Sequence, residues 1–202
     1  MSGFTFDNVN GDIDFNGGAP TLGGASAGGG LVLIETQTVS TAVGSLNFVT
    51  GIDSTYDNYI IMFHNVSPAT TSTDLLMRVS HDTGSTWASA SNAYKYNIDN
   101  ISNGVSTITA DGGSATSATI AKGVTNFDNW YALSGTITVS NPYGGAPMNF
   151  YGQSAHNPYT VSVAATFGGS YRYSDSAVDG IQLFFSSGNI DTGTFSIYGV
   201  VK

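Results

Sequence analysis

The closing stretch, Val178–Lys202, reads VDGIQLFFSSGNIDTGTFSIYGVVK and constrains the fold more than any other part of the chain. Ile181, Leu183 and Phe185 fall on one side of the first apolar run. Phe195, Ile197, Gly199 and Val201 do the same in the second, with Thr194, Ser196 and Tyr198 opposite. A period of two is the signature of a strand with one buried face. Turn-forming residues, Ser186 to Gly193, separate the runs, so the pattern predicts a β-hairpin. The second run carries the chain to its last residues, and a strand in that place has to be docked in a sheet, because free termini fray.

The same alternation recurs upstream. Strands are expected at Leu31–Val39, Ser45–Thr50, Tyr59–Val66 and Leu75–Ser80, with Leu75, Met77 and Val79 inward and Arg78 outward. Tyr59–Val66 (YIIMFHNV) is apolar on both faces, which predicts a central strand covered on both sides, ended by Pro68. Weaker strand patterns cover Asn92–Asp99 and Val105–Ala110, and Asp111–Ser117 reads as a Gly/Ser loop. Tyr131–Ser140 alternates cleanly through Tyr131, Leu133, Ile137 and Val139. A turn at Asn141–Gly145 follows, then strands at Asn149–Gln153 and Tyr159–Phe167. No helical period of useful length occurs. Short strands about a dozen residues apart predict an all-β, antiparallel β-sandwich, jelly-roll-like, over residues 31–202.

Composition sharpens this and excludes some functions. Thirteen of the 14 acidic residues are Asp and one, Glu35, is Glu, a bias toward turns and away from helices. Only 9% of residues are charged and the formal net charge is −9. The five basic residues (Arg78, Lys95, Lys122, Arg172 and Lys202) are scattered, so neither nucleic acid nor an anionic membrane surface is an expected partner. Cysteine is absent, which excludes disulfides and thiolate metal sites. The N-terminus has no basic and apolar leader, and no run approaches 18 apolar residues; neither a secretory signal nor a transmembrane helix is expected.

Ser80-His81-Asp82-Thr83-Gly84-Ser85-Thr86-Trp87 fits S-x-D-x-G-x-T-W and resembles the Asp-box of sialidases and β-propellers. The chemistry behind the spacing is local. Asp82 accepts backbone N–H groups across a hairpin turn, Gly84 takes a positive φ, and Trp87 packs on the strand that follows. Ser80, Asp82, Gly84, Thr86 and Trp87 are therefore read as a structural turn. A sialidase needs three arginines and this chain has Arg78 and Arg172 alone; a propeller would repeat the box.

The remaining candidates are thin. His64, His81 and His156 lack metal-ligand spacing. Asp53, Asp57, Asp179 and Asp191 sit at strand ends without a calcium-loop run. No G-x-S-x-G elbow occurs. Trp87, Trp130, Tyr131 and Tyr143 would stack a sugar, but aromatics near sandwich turns more often rim the core. No cofactor, metal or catalytic residue is assigned, and no enzymatic activity is expected.

Residues 1–30 differ from the rest: nine are Gly, with Phe4, Phe6, Val9, Ile13 and Phe15 as apolar points. They read either as a tail and linker or as an attachment arm in which Phe4, Phe6, Ile13 and Phe15 dock on a partner.

From Leu31 on, the chain resembles bacteriophage virion proteins with a β-sandwich body. The matching segments are LVLIETQTVS, FVTGIDSTYDNYIIMFHNVSPAT, RVSHDTGSTW and, most specifically, IQLFFSSGNIDTGTFSIYGVVK. The resemblance implies a structural component of a virion, made in the host cytoplasm. It suggests a capsid decoration or head-fibre protein, attached to other virion proteins, the major capsid protein first among them, and assembled as a homo-oligomer, a trimer by preference. The alternative is a tail-appendage receptor-binding protein whose sandwich binds a host surface glycan. The small size favours decoration, because tail fibres carry shaft repeats.

Overall fold

The structure, a computed structural model, describes residues 5–6, 13–14, 30–126, 132–144, 147–157, 162–172 and 176–202. Every regular element among them is a β-strand. Two short strands, β1 (Thr5–Phe6) and β2 (Ile13–Asp14), pair antiparallel with Phe6 opposite Ile13. The body follows as β3 (Leu31–Val39), β4 (Leu46–Phe48), β5 (Asn58–Pro68), β6 (Thr73–Ser80), β7 (Tyr94–Ser102), β8 (Val105–Ala115) and β9 (Ala118–Val124). It continues with β10 (Leu133–Ser140), β11 (Met148–His156), β12 (Val163–Tyr171), β13 (Gly180–Phe185) and β14 (Ile190–Val200).

These strands form two antiparallel sheets, one of eight strands in the order β3-β14-β5-β10-β11-β12-β7-β8 and one of four in the order β4-β13-β6-β9. The inward positions of both supply one core. Tyr59, Ile61 and Phe63 of β5 and Phe195 and Ile197 of β14 meet Leu75, Met77 and Val79 of β6 and Ile181 and Leu183 of β13. The protein is a β-sandwich. Its large sheet is wider than its small one, and β9 packs across β7, β11 and β12, leaving β8 beyond it.

Val178–Lys202 does not form the expected hairpin. β13 lies in the small sheet between β4 and β6, and β14 lies in the large sheet between β3 and β5. The turn residues make an arch from one sheet to the other, so the two apolar faces look at each other across the core. Alternation reports only that one face is buried, and an arch and a hairpin satisfy it equally. The arch is tied to the β5–β6 connection, where Ala69 N donates to the Asn189 carbonyl and Ser186 N to the Asp74 carbonyl, at 2.8 and 2.9 Å. Gly188, with φ of 74°, makes the bend.

Three further expectations change. Asp111–Ser117 is not all loop: β8 runs on to Ala115, opposite Tyr94, past a register irregularity. Ala118–Val124, with no strand predicted, is β9; Ala118, Thr119, Ile120 and Ala121 are all buried, so it lacks alternation. β5 is central within its sheet, but only one of its faces meets the other sheet, and Ile60 and Met62 are half-buried on the other. Tyr131 and the beginning of the expected Tyr159–Phe167 strand lie outside the described residues.

Close packing within the large sheet uses glycine and phenylalanine as reciprocal partners. Phe150 sits opposite Gly169, and Gly152 opposite Phe167. A Cβ on Gly152 would fall against the Thr136 carbonyl oxygen and within 2.7 Å of the Phe167 ring. Each ring covers the strand where the side chain is missing, an arrangement only glycine permits.

Polar ties cross the sandwich at the β7 end. The buried Tyr94 hydroxyl of β7 accepts from Val79 N of β6 at 2.9 Å and donates to the Ala88 carbonyl at 3.0 Å. Thr119 Oγ1 of β9 donates to the Tyr96 hydroxyl at 2.8 Å, and Ser154 Oγ of β11 to the Ile120 carbonyl at 3.1 Å. Buried polar groups of this kind cost several kcal/mol unless paired, so they fix how the sheets sit.

Candidate functional site

The Ser80–Trp87 segment leaves β6 as a turn closed by its own side chains. Ser80 Oγ donates to Asp82 Oδ1 at 2.8 Å and accepts from Gly84 N at 2.9 Å. Asp82 accepts from Thr86 N at 2.8 Å and from Thr86 Oγ1 at 2.7 Å. These bonds, those from Thr86 foremost, favour the ionised carboxylate and lower its pKa to about 2. Gly84 has φ of 81° and Thr83 φ of 56°. Trp87 does not enter a following strand: its ring lies beside Gly84 and Gly180, at the start of β13. Thr83 N donates to Asp179 Oδ1 at 2.9 Å, and His81 reaches the Ala177 carbonyl and the Tyr171 hydroxyl, at 2.7 and 2.9 Å. All these groups bond to one another, which suits a turn that locks the β6 and β13 ends together.

A different place leaves polar groups unused. Where β9 crosses the large sheet, a cleft of about 420 Å³ opens between β9 and the inner faces of β7, β8, β11 and β12. Asp74, Asn100, Thr107, Thr109, Lys122 and His156 line it. Strand geometry explains the set. Asn100 continues the inward register of Tyr94 and Ile98 on β7, and His156 that of Met148, Phe150 and Ser154 on β11. Both reach the core layer beyond the apolar cover. His156 is 7% exposed, and its Nε2 atom and Asn100 Oδ1 are buried without a hydrogen-bond partner. At the rim, Lys122 Nζ donates to Thr109 Oγ1 at 3.4 Å and Asp74 Oδ1 accepts from Gly123 N at 2.9 Å.

The Gly123 backbone lies where it favours the charged His156 imidazole. His156 Nε2 has no partner, and as part of a neutral imidazole it donates or accepts according to the ring's tautomer. Burial lowers the His156 pKa, and the Gly123 backbone opposes this in part. The sign of the pH effect follows. Below the ordinary value of 6.5, the unfolded chain takes up a proton that the folded one resists, so stability falls with pH through that range and is complete above it. The loss has a ceiling of about 1.4 kcal/mol per pH unit for one proton. Urea unfolding at about pH 7.5 and about pH 5.5 checks this against His156→Gln, which is expected to remove the His156 contribution to the difference.

The other sequence candidates do not converge. His64 is exposed on β5, His81 belongs to the turn, and His156 to the cleft. Among the described residues there is no group of three or more His, Cys, Asp or Glu that could hold a metal ion, and no helix long and apolar enough to cross a membrane. Trp130 and Tyr131 lie outside the described residues, as do Phe4 and Phe15; Phe6 and Ile13 are backbone partners in the β1–β2 register. Tyr143 is 48% exposed in the turn between β10 and β11 and is not among the residues that line the cleft. No protein-family model matches the chain, and neither does a curated protein or a solved structure.

Proposed function

We propose that the protein is a non-enzymatic structural component of a bacteriophage virion, a capsid decoration or head-fibre protein whose sandwich is held on the particle through residues 1–30. The resemblance of Leu31–Lys202 to phage virion proteins supplies the setting. The observation that carries the attachment is the first edge of the large sheet. There β3 begins, immediately after the N-terminal segment, with Leu31, Val32 and Leu33 exposed by 44, 43 and 54%. Among the described strands β3 has a partner on one side only, and an apolar run on such an edge is a liability in a free monomer and an asset in an assembly. The strand path supports a capsid-type body. We read β3-β14-β5-β10 against β4-β13-β6-β9, with consecutive strands β3 to β6 alternating between sheets, as a jelly roll with β7–β8 and β11–β12 inserted at one end.

On this reading the protein is made in the host cytoplasm, joins the major capsid protein, and groups as a homo-oligomer, a trimer by preference. Quantitative mass spectrometry of purified particles tests it. Hundreds of copies per particle are expected. About a dozen copies would replace decoration with the second reading, a tail-appendage protein whose body binds a host glycan, and absence from particles would end both. The unpartnered polar atoms in the β9 cleft are what favour the second reading.

A further inference from the structure

The described surface carries other hollows, notably one of about 430 Å³ on the outer face of the large sheet between Ser134, Thr136, Gln153 and Thr166. That face is small and hydroxylated, and none of those groups is a buried polar atom without a partner. The β9 cleft differs on that point. Buried polar atoms in native proteins are nearly always satisfied, and an exception calls for an explanation. Here two exceptions line one cavity, together with a lysine, an aspartate and two threonines.

We infer that the cleft between β9 and the inner faces of β7, β8, β11 and β12 is a binding site for a neutral polyhydroxylated ligand, a mono- or disaccharide, held by Asn100 and His156. Asn100 Oδ1 accepts, and His156 Nε2 donates or accepts with the ring's tautomer, so the ligand has to bring groups that can donate and can also accept. Hydroxyl groups do so without charge. Asp74 and Lys122 share the cleft with opposite signs, so no net field selects an ion. A phosphate or carboxylate would meet the bare Asn100 Oδ1 acceptor and the Asp74 carboxylate; a cation would meet Lys122. The volume of about 420 Å³ lies within the range of small-molecule sites. Asn100 and His156 sit two strands and one inward step apart, roughly 12 Å between Cα atoms on regular sheet spacing. One residue cannot satisfy the other across that gap, whereas a ligand with hydroxyls at both ends spans it. Thr107 and Thr109 on β8 supply hydroxyls that donate or accept as the ligand requires. Among the described residues no aromatic ring lines the cleft, so recognition by them rests on hydrogen bonds instead of stacking.

This site deepens the second reading above, that of a carbohydrate-binding body, and is tested apart from it. The full-length protein, labelled with nitrogen-15, is titrated with glucose, galactose, N-acetylglucosamine and lactose, with inorganic phosphate as the anionic comparison. With at least one neutral sugar, the His156 Nε2 signal and the Asn100 side-chain amide signals are expected to shift saturably at millimolar concentration. Asn100→Leu is expected to weaken that binding by about tenfold, the equivalent of one hydrogen bond. Thr107→Val, exposed at the lip and without a core role, is expected to weaken it in a protein that folds normally even if Asn100→Leu does not. Unmoved His156 and Asn100 signals with every sugar, an equal response to phosphate, or full binding by both variants would each overturn the assignment. A null result here leaves the particle copy number untouched, so failure of the site and failure of the virion reading are separable.

Discussion

Tyr94→Ala is expected to remove at least about 4 kcal/mol of stability, a third or more of what a domain commonly possesses. Tyr94 is fully buried, among the largest side chains that are, and its ring packs at a tilt against Tyr171, with centroids 5.3 Å apart. Truncation leaves a cavity where the ring was, and it strands the Val79 amide and the Ala88 carbonyl that the hydroxyl served. Tyr94→Phe separates these effects. It keeps the ring and loses only the two bonds, at about 2–4 kcal/mol, because orphaned buried groups keep their desolvation cost. For a domain of this size that corresponds to a melting temperature lower by roughly 5–15 °C. Tyr143→Phe, altered at an exposed turn, is expected to stay within about 0.5 kcal/mol of the parent. Thermal unfolding of the three variants decides. A Tyr94→Phe protein as stable as the parent would mean that the hydroxyl does not tie β7 to β6.

The reason the Tyr94 bonds matter is the one the sequence conceals. Alternation in β6, β10, β13 and β14 gave each strand its inward face, and those faces are the core. What alternation does not carry is pairing. Ile181-Gln182-Leu183 and Phe195-Ser196-Ile197 read as partners because a turn lies between them, yet their partners are Val79-Arg78-Met77 and Phe63-Met62-Ile61. Long-range pairing depends on which arches form, and Ser186–Asn189 encodes a bend without its direction. β9 was illegible for a different reason. Its Ala118-Thr119-Ile120-Ala121 run is enclosed on both faces, so neither side is polar enough to show a period.

The cleft was partly legible. His156 follows Met148, Phe150 and Ser154 at intervals of two, so its inward position was available from the alternation of β11 once that strand's length was known. Asn100 has the same relation to Ile98. A polar residue at an inward position is the signal, and it is hidden when the expected strand stops short, as Asn149–Gln153 and Asn92–Asp99 do. That the two residues share a cavity depends on β12 lying between β11 and β7, which no local pattern announces.

The division of labour between an N-terminal segment that attaches and a sandwich that is displayed is the centre of the functional account. The proposed anchors are Phe4, Phe6, Ile13 and Phe15, apolar side chains in an acidic segment with 9 glycines among its 30 residues and Asp7, Asp12 and Asp14 as its charges. Burial of a large apolar side chain contributes roughly 1.5–3 kcal/mol, so four together supply roughly 6–12 kcal/mol on a partner. That offsets the ordering of only a few residues of backbone each, at about 1–2 kcal/mol per residue, which is why several copies acting together suit the design. The paired backbone of β1 and β2 already brings Phe6 opposite Ile13. The most direct measurement is the copy number, in purified particles, of the full-length chain carrying Phe4→Ser, Phe6→Ser, Ile13→Ser and Phe15→Ser together. The account predicts a protein with the parent's β-rich circular dichroism and melting temperature that is depleted from particles by at least about tenfold, the equivalent of losing about 1.4 kcal/mol of attachment. A variant that folds normally and is incorporated at the parent's copy number would contradict it.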